Sequence, residues 1–310
     1  MEKEVTTASA TEPATRHPIR DTTMLIFTGL FLLLAQSAYW LNHTVFDKQE
    51  FTSIVTPVVQ SESTRNAIAT TITEQAFADR PLANQLIGQN VTALIAGLLN
   101  TDAAQQLTAG LINRSYTYLT TNNPQPIAID LTAIKMPLEK ITEVVESRGN
   151  DVKINPQNIP DKIVLFNPAG LPDVYSYSVL MLWLGPLFWI GFIVLAALYV
   201  YLGRRQYARR VYILGGTLIV ASCIGLLVGP LITPPITAQV QLAEFRGVVD
   251  QLITSLLAPF GSQNQFVIVA TVIILIIFFS RFAIVRGAKW VVAKTADMTS
   301  KSKPTNLSKK

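Results

Sequence analysis

The stretch VLMLWLGPLFWIGFIVLAALYVYL, residues 179–202, decides the fold class. It contains no Asp, Glu, Lys, Arg or His. At 1.5 Å per residue a helix of this length spans about 36 Å, enough to cross a hydrocarbon core of about 30 Å. Three further runs have the same character: Met24–Leu41 (MLIFTGLFLLLAQSAYWL), Val211–Ile232 and Phe266–Ile284. The one Asp, Glu, Lys, Arg or His among them is Arg281, near the end of the last run. Half of the chain's 310 residues (50%) are hydrophobic and 15% are charged, against about 25% charged in a soluble domain. Mean hydropathy is +0.36. The composition excludes a disordered chain and points to an integral membrane protein. The expected transmembrane segments are 23–41, 179–202, 211–232 and 266–285.

Orientation follows from Lys and Arg, which resist translocation. Residues 203–210 hold Arg204, Arg205, Arg209 and Arg210 and no acid. These arginines are the expected topology determinants. Residues 1–22, 203–210 and 281–310 together hold 15 of the 25 basic residues and 5 of the 20 acids. Four crossings place all three stretches on one side, the cytoplasm, with both termini inside. Residues 42–178 and 233–265 then lie outside, with 10 bases and 15 acids. The net charge of +5 is thus a sum of two opposed faces, and no nucleic-acid partner follows from it. Residues 1–22 and 286–310 read as cytoplasmic tails, the first disordered and the second basic. Segment one has a second reading. Arg20, an apolar core from Met24 to Leu34 and the small residues Ala35, Ser37 and Ala38 fit a secretory signal.

Residues 42–178 are long enough for one small extracytoplasmic domain. The single cysteine, Cys223, lies in the third apolar run, so no disulfide braces this domain. Its periodicity is helical. Phe51, Ile54, Val55, Val58 and Val59 share one face. Ala67, Ile68, Ile72, Ala76 and Phe77 share another, after the capping residues Ser61–Thr64. Pro81 suits the first turn of a third helix, and Thr101-Asp102 opens a fourth, with Leu107, Leu111, Ile112, Tyr116 and Leu119 as its stripe. The run NNPQP, residues 122–126, breaks that helix. Ile127–Leu131 and Lys162–Phe166 read as strands that can pair as a short two-stranded ribbon. Between them Pro137–Ser147 reads as a helix with Glu139, Glu143 and Glu146 on one face. The fold class is therefore all-α, with four transmembrane helices, an extracytoplasmic helical domain and a small ribbon. The sequons at Asn42, Asn90 and Asn113 carry no weight, being frequent by chance in Thr-rich sequence.

The second outer stretch contains an expected amphipathic helix, 239–257. Leu242, Phe245, Val249, Leu252 and Leu256 form its candidate packing or interaction face, joined by Ile253 and Leu257. It is too polar to span and lacks the basic face of a membrane-surface helix, so it is expected to pack on the outer domain.

Catalytic motifs are missing. The two histidines are His17 and His43, and there is no H-E-x-x-H, Walker loop or G-x-S-x-G. No cofactor and no metal is assigned. Three readings remain. The leading one is a non-enzymatic cell-envelope protein that binds a protein, a wall component or a ligand through its outer domain. Its partners are the bilayer and an envelope protein or a second copy. A transport or channel component is the next, motivated by the Gly185-Pro186 and Gly229-Pro230 breaks. The last is a membrane enzyme on lipid or wall precursors, using Glu139, Glu143 or His43.

The order of parts resembles a loosely defined group of bacterial multi-pass membrane proteins, uncharacterised and common in Gram-positive and actinobacterial genomes. Tyr39-Trp-Leu-Asn42, Val45-Phe-Asp47 and Phe51 resemble the junction after their first segment, and Ile127–Leu131 their I-D-L run before a helix. The resemblance implies a fold and a location at the cell membrane. It implies no activity.

Overall fold

The structure, a computed structural model, describes residues 18–78, 81–99, 102–122, 126–132, 161–166, 174–203, 206–240 and 242–301. Four helices are long and apolar enough to cross a membrane. The first, α1 (Pro18–Trp40), opens on a proline, whose fixed φ and missing N–H suit a helix's first turn. The expected tail 1–22 is therefore shorter than its composition suggests, because Pro18–Asp21 are already helical. A π-helical turn, Leu41–Val45, follows, closed by Phe46 N–H donating to the Leu41 carbonyl at 2.9 Å. It buries Thr44 and Val45 and passes the chain into the outer domain.

Four helices build that domain: α2 (Lys48–Val59), α3 (Glu62–Ala76), α4 (Pro81–Leu98) and α5 (Asp102–Thr120). Asp47 caps α2 by accepting from the N–H groups of Gln49 and Glu50, and Ser61 caps α3 through Thr64 N–H. The stripes expected from the sequence meet in one cluster. Phe51, Val55, Ile68, Ile72, Phe77, Ile95 and Ile112 are all buried in it. The Tyr116 hydroxyl donates to the Phe46 carbonyl at 2.8 Å, tying α5 back to the membrane junction. Strands β1 (Ile127–Asp130) and β2 (Lys162–Phe166) pair antiparallel, with Ile129 opposite Ile163 and Asp130 opposite Lys162. Ile129, Leu131 and Ile163 are buried against the helices. The expected helix 137–147, with Glu139, Glu143 and Glu146, lies outside the described residues.

The remaining helices long and apolar enough to cross a membrane lie in α6 (Val174–Leu202), α7 (Tyr207–Thr237) and α8 (Arg246–Lys301). Their contacts fix alternating directions. At one end Asp21 of α1 meets Arg210 of α7, and Tyr207 and Tyr212 lie against Phe278 of α8. At the other, Ala38 of α1 lies under Gly185 of α6, and Trp40 packs on Phe260 of α8. Small residues let the backbones approach: Gly29 sits against Thr217 and Ala221, and Gly225 leaves room for the Asn264 side chain.

Three boundaries differ from the sequence expectation. Segment three does not stop at Thr233-Pro-Pro. It continues to Thr237, and within it Thr233 Oγ1 donates to the Gly229 carbonyl and Thr237 Oγ1 to the Thr233 carbonyl. The amphipathic helix expected over 239–257 is not separate from segment four. A 3₁₀ turn, Ala243–Phe245, runs into α8, whose 56 residues are continuous through Pro259. One interior proline deprives a single carbonyl, that of Ser255, of its donor, and packing on both sides outweighs the loss. The same helix runs to Lys301, into the expected tail 286–310, since no proline occurs between Pro259 and Pro304.

Arg114 of α5 clamps the ribbon by donating to the Ala128 carbonyl at 2.8 Å and to Asp130 Oδ2 at 3.2 Å. Hydrogen bonds from the Thr132 side chain and backbone, then Arg114, hold the Asp130 carboxyl below the usual carboxylate range. A lowered folded-state value stabilises above the ordinary carboxylate range and fades as pH falls through the lowered one. Asp130→Asn is expected to lower the melting temperature at pH 7, with the difference from the parent shrinking in acid. Thermal unfolding of the full chain at neutral and acid pH checks this.

Candidate functional site

The described chemistry concentrates in two places, the junction of bundle and domain and the interior of the bundle. At the junction, the helical face named from the sequence lies inside the domain's hydrophobic cluster. Phe245 is 1% exposed and Val249 6%, and Leu242, Leu252 and Leu256 pack partly buried against the same cluster. This face is therefore core and leaves little surface for a partner. Val240, just before it, is equally buried. Trp40 Nε1 donates to the Leu256 carbonyl at 2.9 Å, fastening the domain end of α1 to α8. Glu74 of α3 stands opposite Glu244 in the 3₁₀ turn. Partial burial, then repulsion from Glu244, raises its carboxyl above the usual value.

Of the four arginines named as topology determinants, Arg204 and Arg205 lie outside the described residues. Arg209 is exposed. Arg210 has a structural role that the sequence did not disclose. It donates to Asp21 Oδ2 at 2.6 Å and to the Tyr199 carbonyl at 2.6 Å, and its guanidinium covers the Tyr199 ring at 4.8 Å. It thus joins the ends of α1, α6 and α7 that lie away from the domain. Gly203 is required beside it, because a Cβ there would occupy the space of the Arg210 side chain.

His43 is exposed, stacks on Tyr39 at 4.0 Å and has Nδ1 3.0 Å from the Tyr39 carbonyl. No acid or hydroxyl nucleophile is hydrogen-bonded to it among the described residues. Among those residues, no three His, Cys, Asp or Glu side chains assemble as a metal-binding group.

The bundle interior holds polar residues that the sequence reading passed over. Thr28, Gln36, Ser222 and Asn264 are each 0% exposed. The Thr28 hydroxyl donates to the Met24 carbonyl at 2.7 Å, but both amide atoms of Gln36, Ser222 Oγ and Asn264 Oδ1 have no protein partner. The signal was present. Thr28, Leu32, Ala35 and Gln36 recur at three- and four-residue intervals, one buried face of an otherwise apolar helix. Beside them α7 and α8 enclose a cleft of about 420 Å³, lined by Gly225, Leu226, Pro230, Thr233, Asp250 and Thr254 among others. The outward surface is the opposite in character: Trp183 is 80% exposed, Phe266 72% and Leu231 70%. Soluble proteins do not leave so continuous an apolar belt bare.

No protein-family model, curated protein or solved structure matches the chain.

The raised Glu74 carboxyl has a stability consequence. Its ionised form is disfavoured in the folded state, so the penalty is absent below the ordinary carboxylate range and present above the raised value. Glu74→Gln is expected to raise the melting temperature at pH 7 and to change little near pH 4. A rise of equal size at both values would show that charge is not the cause.

Proposed function

We propose that this chain is a multi-pass integral membrane protein of the cell envelope, non-enzymatic, which presents residues 42–178 outside the cytoplasm to bind a protein, wall component or ligand. The observation that carries this is α8. At about 84 Å it is far longer than a bilayer is thick, and its outer turns are part of the domain's core. The outer domain is thereby held rigidly against the bundle, as suits a display platform.

The orientation we favour has both termini inside. It rests on Arg209, Arg210 and Arg281 near one end of the bundle, opposite the domain. Segment one is taken as a retained helix and not a removed signal. It is the most enclosed of the four, and its contacts with Arg210 and Leu256 would be lost on cleavage.

Thiol labelling tests the topology. In a chain lacking Cys223, a cysteine at position 100 should react from outside intact cells, and one at position 207 only after permeabilisation. The reverse pattern overturns the orientation. Cross-linking in intact cells, followed by purification, tests the binding role. The expected result is an envelope partner lost when residues 42–178 are deleted. Recovery of no such partner or ligand rejects it.

A further inference from the structure

The cleft between α7 and α8 has a composition that suits a positive ion. Proline has no N–H, so Pro230 and Pro234 leave the carbonyls of Leu226 and Pro230 without their helical donors. Both residues line the cleft. Thr233 and Thr254 add hydroxyls and Asp250 a carboxylate, while no Lys, Arg or His contributes to the lining.

Asn264 adjoins the cleft. It lies one helical turn below Phe260, against Gly225, and both of those residues line the cleft. Its Nδ2 donates to the Phe260 carbonyl at 2.8 Å. A carbonyl can only accept, so this bond fixes which end of the amide is oxygen. The oxygen is wholly buried and has no partner. An unmatched amide oxygen at membrane depth is costly, and something must satisfy it.

We infer that the cleft binds a monovalent alkali cation, drawn in past Asp250 and held near Asn264 Oδ1 by the freed carbonyls. The donors are oxygens, which suit hard cations. They include one carboxylate, whereas calcium sites usually draw on several. Carbonyls released where a membrane helix is broken are a recurrent means of holding such ions. The volume leaves room for the ion and some of its waters. This inference is independent of the outer domain's binding role.

The test uses the full-length protein in detergent micelles. Tryptophan fluorescence follows unfolding in sodium, potassium or N-methylglucamine chloride at constant ionic strength. Trp40 is a local reporter, since its ring packs on Phe260 at 5.9 Å. One alkali cation should raise the melting temperature by several degrees, saturably, over N-methylglucamine. Asn264→Leu should abolish that rise. Should this variant not fold, Asp250→Asn, at the exposed mouth, decides the matter: the half-saturating concentration should increase about tenfold. Equal melting temperatures in all three salts would mean that water alone fills the cleft and would overturn the inference. So would a cation response unchanged in every variant that folds.

Discussion

The structure depends on one helix serving two solvents. The first turns of α8 bury Val249, with Leu252 and Leu256 beside it, among the side chains of the outer domain, and its later turns expose Phe266, Ile274 and Ile277. The driving force differs between the two regions. Outside the membrane it is removal of apolar surface from water. Within it, lipid is as apolar as leucine, so close packing of small residues and hydrogen bonding take over. A continuous backbone lets both act on the same rigid rod, and the angle of the domain on the bundle is set by helical geometry instead of by a loop. The Trp40 bond to Leu256 secures this seam from the side of α1.

Much of this was legible in the sequence. Runs of about 20 residues with almost no charge located the helices able to cross a membrane, because length and polarity are what a bilayer selects. Three-to-four-residue spacing located α2, α3 and the fourth domain helix, since their apolar stripes face one core. Alternation at Ile127–Asp130 marked a strand. The illegible part is of three kinds. Pro234 and Pro235 suggest the end of a helix, yet the helix continues to Thr237, since packing against neighbouring helices can outweigh a missing donor. The tails were read by composition, which does not report that Pro18 begins a helix or that α8 reaches Lys301.

The third kind concerns the candidate sites. Arg210 looks like any basic residue beside a membrane segment until Asp21, remote in sequence, is found 2.6 Å away. Gln36 and Asn264 look like minor interruptions of apolar runs until they prove to be fully buried. Conversely, the face from Leu242 to Leu256 favours packing on the domain but also fits a surface for a partner. Only the presence of Phe51, Ile72 and Ile112 opposite it settles that it is core. In each case the missing information is which elements meet, a property of tertiary structure that local periodicity does not encode.

The Asp21–Arg210 bond also bears on how the molecule is made. Its partners are 189 positions apart. A ribosome delivers α1 first, so its carboxylate is made before the helical domain and α6. Only when the start of α7 emerges can the three inner helix ends lock. Closure of the bundle thus waits on Arg210, and a chain interrupted before it leaves the Asp21 carboxylate with only its neighbour Arg20, 3.8 Å away, as a cation. Such an intermediate lacks a contact that joins α1, α6 and α7.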